Sequence, residues 1–204
     1  MRRLCLSALL AVGLAVPAVA LGSGQAPGGT TWIVDSNHST AAFSVRHMMV
    51  SNVSGTLGPV KGTIEYDGKS PESIRADISI DVSGINTGNP SRDNDLRTAD
   101  GLFEIGKYPT VTFKSKKATP AGSGTFKLVG DLTIHGVTKE VTLDVEGPSA
   151  PLKQGQMLRV GATATTKINR RDFGLSYSRM VEAAPVVSDE VKITIDVEVT
   201  KRAS

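Results

Sequence analysis

Cysteine is all but missing from this 204-residue chain, and the single one, Cys5, sits inside an amino-terminal leader pattern. Arg2 and Arg3 precede the apolar run from Leu4 to Val16, and Ala18-Val19-Ala20 supplies the small-x-small signature that signal peptidase reads. Cleavage after Ala20 would leave 184 residues without a thiol. That excludes a disulfide scaffold, a Cys-ligated metal or haem, and a cysteine nucleophile. Cys5 opens the apolar run instead of closing it, so a lipid-anchored lipoprotein is not expected. Long hydrophobic runs are lacking too. A membrane-spanning helix needs about 20 apolar residues, so the chain is not expected to span a membrane, and a periplasmic or secreted location follows from the leader.

Charge of one sign is also lacking. The whole chain carries 23 Lys and Arg against 20 Asp and Glu. Without Arg2 and Arg3 the excess falls to a single positive charge. Only the short cluster Lys114, Lys116, Lys117 and the pair Arg170-Arg171 are locally basic, which removes the electrostatic footprint of nucleic-acid binding. Aromatics make up 4% of the chain, so its core must be aliphatic.

What is abundant is β-branched. Beyond residue 20, Val, Ile and Thr total 48 residues against 10 Leu. Such side chains lose rotamer freedom in helices and pack well on pleated surfaces. A Gly-rich spacer, 21–30, leads into segments of period-two alternation. Val191, Ile193, Ile195, Val197 and Val199 alternate with polar residues; so do Ile74, Ala76, Ile78, Ile80 and Val82, and so do Val141, Leu143 and Val145. These are strands with one dry and one wet face. Weaker strands are expected over Trp32–Asp35 running into Thr40–Val50, then Gly55–Tyr66, Thr110–Lys117, Thr125–Ile134 and Leu158–Ile168. Turn signals at Asp67-Gly68, Gly122-Ser123-Gly124, His135-Gly136 and Gly147-Pro148 separate them. The fold class is all-β: about eight strands joined by hairpins, an antiparallel barrel closed on itself over residues 31–200.

Two stretches break the rhythm. Residues 84–109 carry a helix-like run, Arg92 to Ile105, read as a lid or plug, and residues 169–188 are irregular. The dry faces contain almost no ionisable group, and several inward positions are small: Ala41, Gly62, Ala76, Gly130, Ala162 and Ala164. An eight-stranded barrel either fills its interior or holds one ligand. Small inward residues among aliphatic ones favour an apolar cavity suited to a long hydrophobic chain. The competing reading is a barrel filled by its own side chains, acting as a stress-related structural or interaction protein.

Signals for catalysis are weak. His38, His47 and His135 show no metal-binding spacing, so a His-dependent metal enzyme is the least favoured alternative. No Gly-x-Ser-x-Gly elbow or phosphate-cradling loop is present. Asp93, Asp95 and Asp100 are interleaved with Arg92 and Arg97, and Asp172 follows Arg170-Arg171; salt bridges and caps are expected there. No catalytic residue and no metal site are assigned.

Several segments taken together resemble a known family. They are Trp32-x-x-Asp35-x-x-His38-Ser39 with Phe43-x-Val45-Arg46-His47, then Arg92-Asp93-x-x-Leu96 leading to Phe103-Glu104 and Tyr108-Pro109-x-x-x-Phe113. Gly130-Asp131-Leu132-Thr133-Ile134-His135-Gly136-Val137-Thr138-Lys139 is the most specific, and Asn169-Arg170-Arg171-Asp172-Phe173-Gly174 closes the set. In this order they resemble the YceI-like family of exported polyisoprenoid-binding proteins. The resemblance implies a lipocalin-like barrel with a helical segment near its opening. It also implies a tunnel for an isoprenoid quinone, a polyprenyl phosphate or a similar long amphiphile, and no enzymatic activity. Asp95 stands where family members often carry histidine, and Gly101-Leu102-Phe103 where paired aromatics are common.

Alternation assigns the tunnel lining to Phe43, Val45, Ile64, Ile78, Ile80, Phe113, Leu132, Ile134, Val160 and Ile195. Leu96, Leu102 and Phe103 are the expected lid contacts, with His47 and Arg92 at a polar mouth. The expected partner is a long-chain isoprenoid or fatty amphiphile, with no other cofactor, and an exposed mouth would favour a homodimer.

Overall fold

The alternating segments become strands that wrap their dry faces inward. The computed structural model describes residues 30–178, 180–181 and 184–203; the expected leader and nearly all of the expected spacer lie outside them. In chain order the elements are β1 (Thr30–Val34), β2 (Thr40–His47), β3 (Ser51–Thr56), β4 (Val60–Tyr66), β5 (Arg75–Asp81), α1 (Pro90–Thr98), β6 (Thr110–Gly122) and β7 (Thr125–Ile134). There follow β8 (Val137–Glu146), β9 (Leu152–Gln154), β10 (Met157–Asn169), β11 (Met180–Val181), β12 (Ala184–Pro185) and β13 (Val187–Arg202).

Strands β1, β4, β5, β6, β7, β8, β10 and β13 pair antiparallel in that order, and β13 returns to β1. This is the closed eight-stranded antiparallel barrel that the alternation implied. Beyond β1, β2 continues along the first half of β13, and β3 pairs with β2. The segment read as one strand, Gly55–Tyr66, is thus split into β3 and β4. Its break lies at Leu57-Gly58-Pro59. Pro59 has no N–H for a ladder, and a Cβ on Gly58 would stand 1.8 Å from the Asp81 carbonyl oxygen. Thr40–Val50 likewise ends early, at His47, in a turn that reverses the chain into β3.

Each wall shows the same inward set. On β5, Ala76, Ile78 and Ile80 are buried, and on β7 so are Phe126, Leu128, Leu132 and Ile134. The outer face carries charges paired across strands: Lys116 with Asp131 and Glu140, Lys114 with Asp77, Lys127 with Asp144. Such exposed pairs each contribute about 0–1 kcal/mol. Strand β6 outruns the expected Thr110–Lys117 because the register slips between Ser115 and Lys117, which turns Lys116 outward and restarts the alternation at buried Ala118. The wall is uneven. β10 is laddered to β13 along its whole length, whereas β8 meets β10 only where Asp144–Glu146 face Thr163–Thr165. Above that seam Thr166 Oγ1 donates to the Thr142 carbonyl at 2.9 Å.

The helix is shorter than the run Arg92–Ile105 and starts earlier. Asn89 caps it by accepting from the Arg92 N–H at 3.0 Å, and Pro90 occupies its first turn. Gly101, at φ 72°, turns the chain away after it. The remainder is tied down. The Arg97 guanidinium donates to the Ser83 and Ile85 carbonyls (both 3.1 Å), and the Tyr177 N–H donates to Gly101 O at 2.9 Å.

Candidate functional site

The barrel interior is hollow. A lower chamber of about 120 Å³ lies between β4, β5, β6, β7, β8, β10 and β13. Among its lining side chains only Tyr66 and Thr166 carry a polar atom; burial pushes the Tyr66 hydroxyl above its ordinary pKa. An upper chamber of about 280 Å³ lies under α1 and between β2, β3 and the start of β13. Leu57, Val111, Ile134 and Ile193 line both, so the two spaces adjoin along the barrel axis.

The structure places every residue of the expected lining against one of these spaces. Ile64, Ile78, Ile80, Phe113, Leu132, Val160 and Ile195 face the lower chamber, and Ile134 stands at the junction. Phe43, Val45, Leu96, Leu102 and Phe103 face the upper one, together with His47 and Arg92. The lining also takes in Phe126, Leu128, Ile193 and Val197, which share the phase of residues already assigned. Leu175 and Tyr177 join the upper chamber from the irregular stretch, where no periodicity marks them.

Not every small inward residue leaves space. A Cβ on Gly130 would lie 2.6 Å from Phe113 Cζ, so the Phe113 ring occupies the volume that glycine frees. Gly55 does the same for Phe43, whose Cε1 would be 2.9 Å from a Cβ there. Ala76, Ala162 and Ala164, by contrast, border the lower chamber.

Polar and charged groups gather in the upper chamber. Arg92 donates through Nε to Thr87 Oγ1 (2.8 Å) and through Nη2 to Thr87 O (3.0 Å). The same threonine holds Asp93, whose carboxylate accepts from the Thr87 N–H at 2.8 Å and from its hydroxyl; the hydroxyl bond keeps its pKa low. The salt bridges expected between Asp93, Asp95, Asp100 and the neighbouring arginines do not form among the described residues, because Arg92 and Arg97 spend their donors on backbone carbonyls and on Thr87. Arg170 and Arg171 pair with Asp189, at 2.9 and 2.7 Å, and not with Asp172. Buried Arg170 also donates to the carbonyls of Leu175 and Tyr177 (both 2.7 Å) and Ser188 (3.1 Å), and its desolvation lowers its pKa. It lines the upper chamber with its donors already engaged.

The histidines have separate neighbourhoods. His47 faces the upper chamber. His135 bonds Glu104 at 3.1 Å and packs edge-on against Tyr108, joining the lid to the β7–β8 turn. Lys107 first, then the Gly101 N–H and His135, hold the Glu104 carboxyl below its usual range. His38 lies in the β1–β2 turn, 2.9 Å from Asp35, with Glu198 near enough to complete a possible metal-ligand trio. Arg159 already pairs there with both carboxylates, placing a cation where a metal would sit.

The model of the YceI-like domain family matches residues 32–199. A UPF0312 protein of Staphylococcus aureus is 34% identical over 160 residues, covering 78% of this chain and 90% of that one. The crystal structure of the Campylobacter jejuni YCEI protein superposes with a TM-score of 0.64 at 32% identity, covering 78% of this chain and 90% of the other. A polyisoprenoid binding domain from Saccharophagus degradans shares the fold, with a TM-score of 0.60 at 18% identity over 82% of this chain and 97% of that domain. No helix among the described residues is long and apolar enough to cross a membrane.

Proposed function

Because the chain belongs to the YceI-like domain family, a binding-protein fold, we propose that it is an exported carrier that holds a polyisoprenoid or similar long amphiphile in its barrel. The observation that carries this reading is the sequence of chambers: an all-but-apolar space deep in the barrel, adjoining one whose polar groups gather at the other end. Such a gradient matches a molecule with a long hydrocarbon tail and one polar head. The tail gains roughly 0.8 kcal/mol per buried methylene, while a head placed in the lower chamber would lose its water without replacement partners. An isoprenoid quinone or a polyprenyl phosphate has this form. The shared fold with a polyisoprenoid binding domain supports the class of ligand. Phe43, Val45, Leu102 and Phe103 would meet the chain near its head, with His47 and Arg92 beside the head itself. The leader pattern of residues 1–20 supports export and a periplasmic site of action.

The test is native mass spectrometry of protein purified from its own periplasm without detergent, followed by solvent extraction. A discrete mass excess released as an isoprenoid or other amphiphile supports the reading and names the ligand. If the protein flies bare and delipidated protein also ignores an added isoprenoid quinone, the carrier reading fails.

A further inference from the structure

The turn that joins β2 to β3 runs against its own interests. Met48, Met49 and Val50 follow one another at its tip and are 41%, 58% and 79% exposed. Single exposed apolar side chains are ordinary, but three in succession on a projecting turn form a patch. Met48 and Met49 also adopt φ values of 47° and 59°. Those are left-handed positions that Asn, Asp and Gly occupy at little cost in hairpins. Both the side chains and the backbone they sit on are therefore costly choices for a water-exposed loop, and strain of this kind points to a use.

The hairpin is also prepared to leave water. The Val50 N–H donates to His47 O, and the Met48 N–H donates to Val186 O (both 2.9 Å). Arg46 Nη2 reaches over the turn to the carbonyls of Met49 (2.9 Å) and Val50 (3.4 Å), while its Nη1 donates to Asn52 Oδ1 (3.2 Å). Most backbone polar groups at the tip are thus satisfied within the fold, which lowers the cost of moving it into an apolar interface. Its charge has one sign: between Thr40 and Thr56 there is no Asp or Glu, and Arg46 lies directly behind the apolar tip. Apolar side chains in front of a cation are the arrangement that seats a peripheral protein at the acyl boundary with its charge at phosphate level. The patch begins one residue past His47, which with Val45 and Val53 faces the upper chamber.

We propose that Met48-Met49-Val50 docks the rim of the upper chamber onto an anionic phospholipid bilayer. Its purpose rests on the carrier reading, since docking there lets an amphiphile pass between bilayer and barrel without crossing water.

The full chain is sedimented with vesicles of phosphatidylethanolamine and phosphatidylglycerol, and separately with vesicles of phosphatidylcholine alone. Two variants are compared with it: Met49→Asp with Val50→Asp, and Met48→Asn with Met49→Gly. The second suits the left-handed turn and is expected to melt no lower than the parent. The parent protein sediments with the anionic vesicles and less with the neutral ones, and both variants lose binding by about tenfold or more. Both variants still take up an isoprenoid quinone delivered from ethanol. Variants that sediment like the parent overturn the proposal. So does loss of self-association in sedimentation velocity with vesicle binding intact, which would make the tip a contact between copies. A parent that ignores anionic vesicles but takes up quinone overturns docking and leaves the carrier reading standing. A parent that docks but takes up no quinone does the reverse.

Discussion

Ala164→Leu turns the hollow interior into a question of sign. Ala164 stands on β10 between Val145 of β8 and Ile195 of β13, and borders the lower chamber of about 120 Å³. Leucine adds three carbons there. If the space is free, their burial contributes about 2.4 kcal/mol at roughly 0.8 kcal/mol per methylene. Ordering the longer side chain takes back about 0.5–1 kcal/mol, so the variant gains about 1.5 kcal/mol. If the barrel is packed full, the same carbons force neighbours off their rotamers and cost about 1–3 kcal/mol. The assay is urea unfolding followed by Trp32 fluorescence, on delipidated protein because bound lipid would stabilise the parent by mass action. Quinone uptake is measured beside it. The expected result is a more stable protein that binds the quinone less well. A variant destabilised by about 1 kcal/mol or more, with uptake unchanged, would refute the claim that this chamber is usable volume.

Three further outcomes follow from the geometry. Asp35 is lowered from 3.8 to about 2, first by the His38 hydrogen bond, then by the Asn37 N–H, with Arg159 adding to it. Its depressed pKa means that its contribution is complete above the ordinary carboxylate value and is lost as the pH falls toward 2. Melting curves of Asp35→Asn and the parent should therefore separate near neutrality and converge in acid, and a gap that ignores pH would contradict this. Arg170→Met strands the carbonyls of Leu175, Tyr177 and Ser188 while half-exposed Asp189 keeps Arg171; a loss of about 1–3 kcal/mol is expected in urea unfolding from the stranded acceptors, and a loss under about 1 would show that the guanidinium is not needed. Gly130→Ala should cost about 1–3 kcal/mol, with part of it recovered by Phe113→Leu in a double-mutant cycle; simple additivity would mean that the clash is relieved elsewhere.

How much of this was legible in the sequence depended on whether a local rule had a long-range competitor. Strands β5, β8 and β13 could be read directly, because burying one face leaves period two no alternative. For the same reason each assigned lining residue reached a chamber: once one dry residue on a strand is right, every second neighbour follows. The β2–β3 turn could not be read, since Met48 and Met49 take left-handed φ without the Gly or Asn that signals it. The break at Gly58-Pro59 was visible as residues, but its cause is the approach of Asp81 from a neighbouring strand. Asp189 lies far enough along the chain from Arg170-Arg171 that adjacency pointed to Asp172 instead. Leu175 and Tyr177 belong to a segment with no period at all, and only the folded path brings them to the upper chamber.

The short seam between β8 and β10 is one of the two lines along which the wall can yield. Strand β10 is stitched to β13 from Met157 to Asn169, and β7 to β8 from end to end, so those joints resist as units. Where β8 faces β10 the stitching covers three positions on each strand, extended on one side by a single hydroxyl, Thr166 on Thr142, and on the other by Ser149, which bonds Gly161 through its N–H and its hydroxyl. With each ladder bond contributing about 1 kcal/mol net, breathing of the cylinder is shared between the β1–β13 pairing, where only Ile33 and Val34 face Thr200 and Val199, and this line. Leu143, Val145, Ala162 and Ala164 flank it from within. A guest longer than the space therefore has a flank that gives way for its far end, while the capped rim stays latched through Glu104 and His135.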